Sequence, residues 1–554
     1  MKKKNYIYVA LATALFVGSC KQELIVKQDP TVTAPATPSK GSASFTKFVA
    51  VGNSYVAGMQ ASALFNTSQE NSLPRIMAKQ FESVEGPATF NQPDINSVNG
   101  FNPINSVLPG LVLGRLFLFD PDGTGPRSAG PAAAKTPQVV ATCPASVTTP
   151  AAPAPFNTAD FPAAFAGSKT TLQNYGVPLI YLAQALTAAT SGPPPPAPNP
   201  AYSPFFSRFA VTPSPDGTNG SSILIDAKAA AGTFYLIWLG FDDVLLYAAT
   251  GADGVSAGTY PMTAAATFQG QFNALINGPS APSGLMTGTT FKGVVGNIPD
   301  FTTLPYFYTV TWNNITLDAA TATSLNSNLA ANYNGFLDAM VTNTIITAAE
   351  RDKRRLNFVA GKNGILLSDD VGFSTGGLTD LTPYMTGPAA GLVPFALARQ
   401  ATATDLVPLA AGSFLGTCFG GSPTAINGVS YPVPDKYILT PAETGAILTR
   451  TAEFNASITA AVATTGGRLV IADVRTAYNN FVAAKAFISD NVMITPSFAP
   501  PTGAFSEDGL HPNSRGYAFT ANIFIDAINA GFGAVIPKAS LAAYSGTALP
   551  VSPL

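Results

Sequence analysis

The sequence feature that most constrains the fold is a series of short apolar runs that alternate with segments of helical periodicity. The clearest run, TFYLIWLG at 233–240, has almost no polarity, which is typical of a strand buried on both faces of a sheet. Strand-like runs also stand at 45–54, 291–300, 357–370 and 467–474. Helical patterns cover about 71–82, 263–277, 322–354, 440–464, 476–488 and 513–533. This alternation predicts an α/β sandwich with a mostly parallel sheet, in which ligands bind at the carboxyl ends of the strands.

The charge pattern excludes one class of partner. Charged residues make up 11% of the chain, well below the roughly 25% of an average soluble protein, and the formal net charge is −2. A cationic cluster, ERDKRR at 350–355, follows a helical pattern and is typical of a solvated helix end. Because no basic stripe is available to neutralise phosphates, we expect no binding of nucleic acid.

The length of the chain indicates large insertions or additional domains. A chain of 554 residues exceeds one ordinary domain. Stretches rich in Gly, Pro, Ala and Thr stand at about 86–170, 188–228 and 371–436, and loops of that length are unusual inside a compact domain. We therefore predict one α/β domain over 45–537 that carries these insertions, followed by a tail at 538–554. Several insertions could form a cap over a cleft, although their aromatic residues more commonly fill a core.

The N-terminal segment reads MKKKNYIYVALATALFVGSC. Three lysines, an apolar run too short to span a bilayer comfortably, and small residues are typical of a secretory signal at 1–19. The ending VGSC resembles a bacterial lipobox, which implies that Cys20 is lipidated, followed by a flexible tether to residue 44. The alternative is a plain signal peptide with a chance cysteine. We expect an exported protein anchored to the membrane of the cell envelope by its lipid, and Lys21 favours the outer membrane by resemblance to lipoprotein sorting rules.

Two further cysteines, Cys143 and Cys418, stand in loops rich in Gly, Pro and Thr. An exported chain meets oxidising conditions, so a single disulfide between them is possible, but the sequence leaves the pairing open. One histidine and three cysteines provide no recognised zinc spacing. We expect no metal and no cofactor.

The single histidine of the chain, His511, stands in SEDGLHPNSRGY three residues after Asp508. A lone histidine is often a surface or satisfied core residue. The alternative is a catalytic base whose imidazole is oriented by the carboxylate of Asp508. That role requires a nucleophile, and Ser54 stands just past the first predicted strand in VAVGNSYVAG, where a parallel sheet presents reactive groups.

The combination of GNSY at 52–55 and DGLHPN at 508–513 resembles the SGNH, or GDSL-type, serine hydrolases. The resemblance implies a flavodoxin-like three-layer α/β/α sandwich. It also implies Ser54 as nucleophile, His511 as base and Asp508 as the group that orients His511. The G-x-S-x-G elbow of α/β-hydrolases is absent.

The chain departs from this family at the oxyanion-hole positions, which the resemblance assigns to Ser54, Leu179 and Asp242. Leu179 of NYGVPL stands where the family has glycine, and Asp242 of GFDD where it has asparagine. An ionised Asp242 would repel an oxyanion, so the carboxyl has to be protonated, displaced or replaced by another donor such as Asn174. GFDD could also be only a helix N-cap. Asn53 and Tyr55 replace the Asp and Leu of the first block.

The resemblance therefore implies a serine esterase or lipase acting through an acyl-enzyme on a lipid or short-chain ester. An acetylated polysaccharide is the close alternative substrate. A different class of function is a catalytically impaired surface protein that binds glycans or partners, because Asp242 and Leu179 replace the usual donors. The geometry at Asp242 discriminates between the two classes.

Overall fold

A computed structural model of the chain describes residues 37–98, 100–101, 114–116, 118–119, 127–128, 163–194, 197, 199–253, 260–279, 283–369 and 377–549. The chain divides into two units, Met1–Thr37 and Pro38–Leu554, and the described residues belong almost entirely to the second. Within the described ranges, no helix is long and apolar enough to cross a membrane.

The central sheet has five strands, all parallel, which confirms the predicted mixed α/β class with a mostly parallel sheet. The strands are β1 Phe48–Gly52, β2 Asn174–Gly176, β3 Phe234–Trp238, β4 Lys292–Gly296 and β5 Leu469–Ala472. Their order across the sheet is β2-β1-β3-β4-β5. The connections after β1 and after β3 therefore run in opposite directions, which opens a crevice at the carboxyl ends of these two strands.

Helices cover both faces of the sheet, as the alternation of side chains along β3 shows. The rings of Phe234 and Trp238 lie 5.9 Å and 5.2 Å from Phe532 and Phe524. Tyr235 points to the opposite face, where its hydroxyl donates to the carbonyl of Ala227 at 3.0 Å. Because successive strand residues point to opposite faces, the helices that contain Phe524 and Ala227 lie on different sides of the sheet.

Most of the predicted helices are present with nearly the predicted bounds. The principal helices of the α/β core are α1 Ser54–Ala57, α2 Leu73–Phe81, α3 Ile223–Ala229, α4 Asp242–Ala249, α5 Ala265–Asn277, α6 Pro441–Ala463, α7 Val474–Ala484 and α8 Ser514–Phe532. Helix α6 begins with a capping box in which Thr440 and Glu443 bond each other's backbone amides. Shorter helices lie at Asn66–Glu70, Leu182–Ala185 and Pro204–Ser207.

The prediction of one long helix over 322–354 is wrong. The segment contains helices Ala319–Leu325 and Ala331–Thr342, joined by a π-helical turn, and a separate helix Ala348–Arg354. The helical conformation ends before Thr344, whose φ of 59° is left-handed. The next helix then starts at the cap Thr347, whose side chain accepts from the amide of Glu350.

A second hydrophobic cluster lies between residues 310 and 438 and includes part of the predicted insertion 371–436. Its strands form antiparallel pairs outside the central sheet, Ile315–Leu317 with Gly361–Asn363 and Leu366–Ser368 with Ala398–Gln400. The predicted strand at 357–370 therefore exists as two short strands in this cluster. Short strand pairs also lie at Leu118–Phe119 with Arg127–Ser128 and at Phe487–Ser489 with Val492–Ile494.

Candidate active site

Ser54 lies at the carboxyl end of β1, beside the crevice of the sheet. The strand ends at Gly52, where an added Cβ would lie 2.7 Å from the carbonyl oxygen of Trp238 on β3, so the close approach of the two strands requires glycine. Asn53 then caps α1, because its side-chain Oδ1 accepts from the amide of Tyr55 at 3.1 Å. Ser54 is the first residue of this short helix and is 1% exposed.

Asp508 and His511 form a buried pair in the loop before α8. His511 Nδ1 and Asp508 Oδ2 lie 2.7 Å apart. Burial alone would raise the pKa of Asp508, but the charge of His511 and hydrogen bonds from His511 and the amide of Ser62 hold this pKa below its usual value. An ionised Asp508 fixes the tautomer in which Nδ1 carries the proton, so Nε2 keeps the lone pair that a general base needs.

The loop that carries His511 is fixed against the residues that follow Ser54. Tyr55 donates its hydroxyl to the carbonyl of Leu510 at 2.6 Å, and its ring lies 5.4 Å from the His511 ring. Tyr517 on α8 donates to the carbonyl of Met59 at 2.7 Å. Gly509 has a φ of 67°, and an added Cβ would lie 2.9 Å from the amide of Tyr306. These contacts bring the histidine loop to the carboxyl edge of β1.

The backbone of Leu179 points its amide at Ser54. The N–H of Leu179 donates to Ser54 Oγ at 2.9 Å, and Leu179 has a left-handed φ of 54°. Glycine adopts this conformation without strain, whereas other residues are strained in it. Leu179 therefore has the backbone conformation expected of a glycine, the residue that the resemblance predicts at this position. The Ser54 hydroxyl is hydrogen-bonded to this amide and not to His511. Nucleophile–base bonds are often long in unliganded enzymes and tighten when substrate binds.

The strain at Leu179 predicts an unusual order of stability for two substitutions. We expect Leu179→Gly to be more stable than Leu179→Ala by about 1 kcal/mol, since both remove the same half-buried side chain beyond Cβ but only glycine relieves the left-handed backbone. Urea unfolding of the two purified variants measures the difference. Equal stabilities would mean that the backbone at this position is not strained.

Asp242 and Asp243 lie side by side in the first turn of α4. Neither caps the helix, because the N-cap is Phe241, so the alternative in which Asp242 or Asp243 caps this helix is wrong. Asp243 accepts from the amide of Leu182 at 2.8 Å and from the hydroxyl of Thr263 at 2.7 Å. Burial raises the pKa of Asp243 to about 7. Burial and the neighbouring Asp243 raise the pKa of Asp242 well above its usual value.

Asn174, named from the sequence as an alternative donor, has its side-chain amide hydrogen-bonded to its neighbours. Its side-chain nitrogen donates to the carbonyl of Val56 at 3.2 Å, and its oxygen accepts from the amide of Gly176 at 2.9 Å. The amide group is therefore committed to joining β2 to α1. A different group, the Asn53 side-chain nitrogen, is buried and has no hydrogen-bond partner among the described residues. Its position next to Ser54 is the signal in the sequence that could have indicated it.

The remaining predicted sites lie partly outside the described residues. Cys418 is disulfide-bonded, but Cys143 and Cys20 lie outside the described ranges, so the pairing and the lipidation of Cys20 stay predictions. The described residues contain no group of three His, Cys, Asp or Glu side chains that could hold a metal ion.

Fold and site together define an α/β protein with a parallel five-strand sheet, whose carboxyl edge carries a serine and a buried His–Asp pair. In comparisons with protein-family models, curated proteins and solved structures, nothing matches the chain.

Proposed function

We propose that the protein is a serine ester hydrolase of the SGNH type, with Ser54 as nucleophile, His511 as general base and Asp508 as the group that orients His511. The observation that carries the proposal is the 2.7 Å bond between His511 Nδ1 and Asp508, in a loop held by Tyr55, the neighbour of Ser54. The strand order β2-β1-β3-β4-β5 supports the flavodoxin-like assignment, because this is the order of that fold.

The proposed reaction has two halves. Ser54 Oγ attacks the ester carbonyl carbon while His511 Nε2 accepts the hydroxyl proton, and the imidazolium formed is stabilised by Asp508. The tetrahedral intermediate collapses, and His511 returns the proton to the leaving alcohol. Water then attacks the acyl-Ser54 ester with His511 again as base, which releases the acid and restores the serine.

The amide of Leu179 supports an acyl-transfer reaction in particular. An amide that donates to the resting serine oxygen at 2.9 Å lies within reach of an oxygen that develops charge next to it. We propose carboxylic esters as the substrate class, either of lipids and short acyl chains or of acetylated glycans. Export and lipid anchoring through Cys20 belong to the same proposal and rest on the N-terminal sequence.

Labelling with a fluorophosphonate probe followed by peptide mapping tests the proposal without knowledge of the substrate. We expect a single adduct on Ser54, because an activated serine attacks phosphorus as it attacks an ester. The adduct should be lost in Ser54→Ala and retained in Ser327→Ala, which removes an exposed helical serine. Folded protein that is not labelled, or that is labelled at another serine, would contradict the assignment of Ser54.

A further inference from the structure

Two buried polar atoms, just past the carboxyl ends of β1 and β3, have no hydrogen-bond partner among the described residues. They are the side-chain nitrogen of Asn53 and the Oδ2 oxygen of Asp242, whose residues are 0% and 1% exposed. The orientation of the Asn53 amide is fixed, since its Oδ1 accepts from Tyr55. The Asn53 amide interacts with the Asp242 carboxyl and lowers its pKa, but Nδ2 and Oδ2 do not reach hydrogen-bond geometry. Leaving buried polar groups unsatisfied is costly, so a bound group that completes the hydrogen bonds of these two atoms would be favoured.

We propose that Asp242, as a neutral carboxylic acid, is the side-chain donor of the oxyanion hole, and that the amide of Asn53 positions it. This inference rests on the proposed function. Asp242 follows β3 and Ser54 follows β1, so both border the crevice between these two strands. The family that the chain resembles has an aspartate at the position of Asn53 and an asparagine at the position of Asp242. This chain has the reverse arrangement, so the pair still contains one amide and one carboxyl group.

The surroundings of Asp242 favour its neutral form. The titratable groups that interact with it are Asp243, on the same helix, and Tyr55 and Tyr181, on the elements packed against it. All three are acids, and no ion pair joins Asp242 to a basic side chain in the described part of the chain. Burial without a cation disfavours a carboxylate, and a neighbouring carboxyl disfavours it further, which raises the pKa of Asp242 well above its usual value.

The backbone around Leu179 is tied to the same two aspartates. The amide of Ile180 interacts with Asp242, and the amide of Leu182 donates to Asp243 at 2.8 Å. The pair of aspartates thereby holds the segment whose Leu179 N–H reaches Ser54. In the proposed hole, the oxyanion formed by attack of Ser54 accepts from the Leu179 N–H and the Asp242 O–H. The Asp242 proton stays on its oxygen throughout, while the serine proton travels to His511.

Four variants assayed on p-nitrophenyl acetate test this role. Asp242→Ala removes the donor and should lower kcat roughly 10²–10³-fold with a smaller change in KM. Asp242→Asn supplies an amide donor and should stay within about tenfold of the wild type. Asn53→Asp replaces the amide next to Asp242 by an acid and should lower kcat. The double variant Asn53→Asp/Asp242→Asn again pairs one amide with one carboxyl group, so it should recover most of this loss in kcat.

The pH profile is the readout that a purely structural role would not change. Wild-type kcat should fall as pH rises through the pKa of Asp242, because the carboxylate repels the oxyanion, and Asp242→Asn should lack this fall. The stability of the fold should also depend on the protonation of Asp242. The raised pKa stabilises the fold most below the unfolded pKa of about 3.9, and this contribution is lost as pH rises through the folded pKa. The stability of Asp242→Asn relative to wild type should therefore increase with pH.

The possible failures are distinguishable. If the folded wild type neither hydrolyses the ester nor is labelled on Ser54, the proposed function itself is wrong. If hydrolysis depends on Ser54 but Asp242→Ala keeps kcat within threefold, or if the wild type and Asp242→Asn share one pH profile, only the role of Asp242 is overturned. Failure of the double variant to exceed Asn53→Asp would overturn the positioning role of Asn53. Circular dichroism of each variant verifies that the fold is retained.

Discussion

Replacement of His511 by alanine is expected to lower kcat for ester hydrolysis by roughly 10⁴–10⁶-fold, because no other imidazole exists in the chain to accept the serine proton. The fold should survive the change. Asp508 keeps hydrogen bonds from the amides of Ser62, Leu510 and residue 511, at 2.7, 2.8 and 2.9 Å. The buried carboxylate is therefore not left without donors when the ring is removed.

Steady-state kinetics on p-nitrophenyl acetate and fluorophosphonate labelling measure this effect together. The matched control is Arg515→Ala, four residues further along, whose guanidinium donates to the carbonyls of Tyr544 and Pro501. We expect this control to keep kcat within about threefold, since it makes no contact with Ser54 or His511. Undiminished turnover in folded His511→Ala would show that the His511–Asp508 pair is structural and would refute the proposed mechanism.

The largest expected effect on stability is that of Arg399→Ala in the second hydrophobic cluster. Arg399 is paired with Asp405 in two parallel hydrogen bonds of 2.8 and 2.7 Å and with Asp369 at 2.5 Å. Burial alone would lower the pKa of Arg399, but the two carboxylates raise it above its usual value. Removing the guanidinium leaves the fully buried Asp405 without its cation, which typically costs about 3–5 kcal/mol.

Thermal and urea unfolding monitored by circular dichroism measure the loss. Lys538→Ala is the control, because its ion pair with Asp526 is more than half exposed and such pairs contribute little. A loss below about 1 kcal/mol for Arg399→Ala would mean that water or a rearranged partner compensates Asp405. The site is on a different part of the chain, so hydrolysis at temperatures below the transition should remain.

How far the sequence predicts the fold depends on how local each signal is. The strands β1, β3, β4 and β5 were predictable because each is an apolar run that can be recognised by itself. The strand β2 has no such signal, since its three residues, Asn174–Gly176, become a strand through pairing with Ala50–Gly52 of β1. The end of the helix near Thr344 has no sequence signal either, because the helical pattern continues through residues whose backbone turns left-handed.

The same distinction holds for the candidate site. The spacing of Asp508 and His511 predicts a contact, and the structure has it at 2.7 Å. The left-handed backbone of Leu179 and the unpaired side-chain nitrogen of Asn53 depend on neighbours that are distant in sequence. The sequence shows Asp242 as a departure from a motif. The burial of Asp242 beside Asp243 and Asn53 raises its pKa. This burial results from the packing of the fold and cannot be read from the sequence.

The position of β1 in the middle of the sheet has a consequence for the order of events during synthesis. Strand β1, which precedes Ser54, leaves the ribosome before its neighbours in the sheet and before the histidine loop, which follow roughly 120 to 460 residues later. Closing such long loops is slow. Ser54 of the nascent chain therefore lacks its proposed base until the loop that contains His511 has been synthesised, and hydrolysis would begin only after that loop has reached β1.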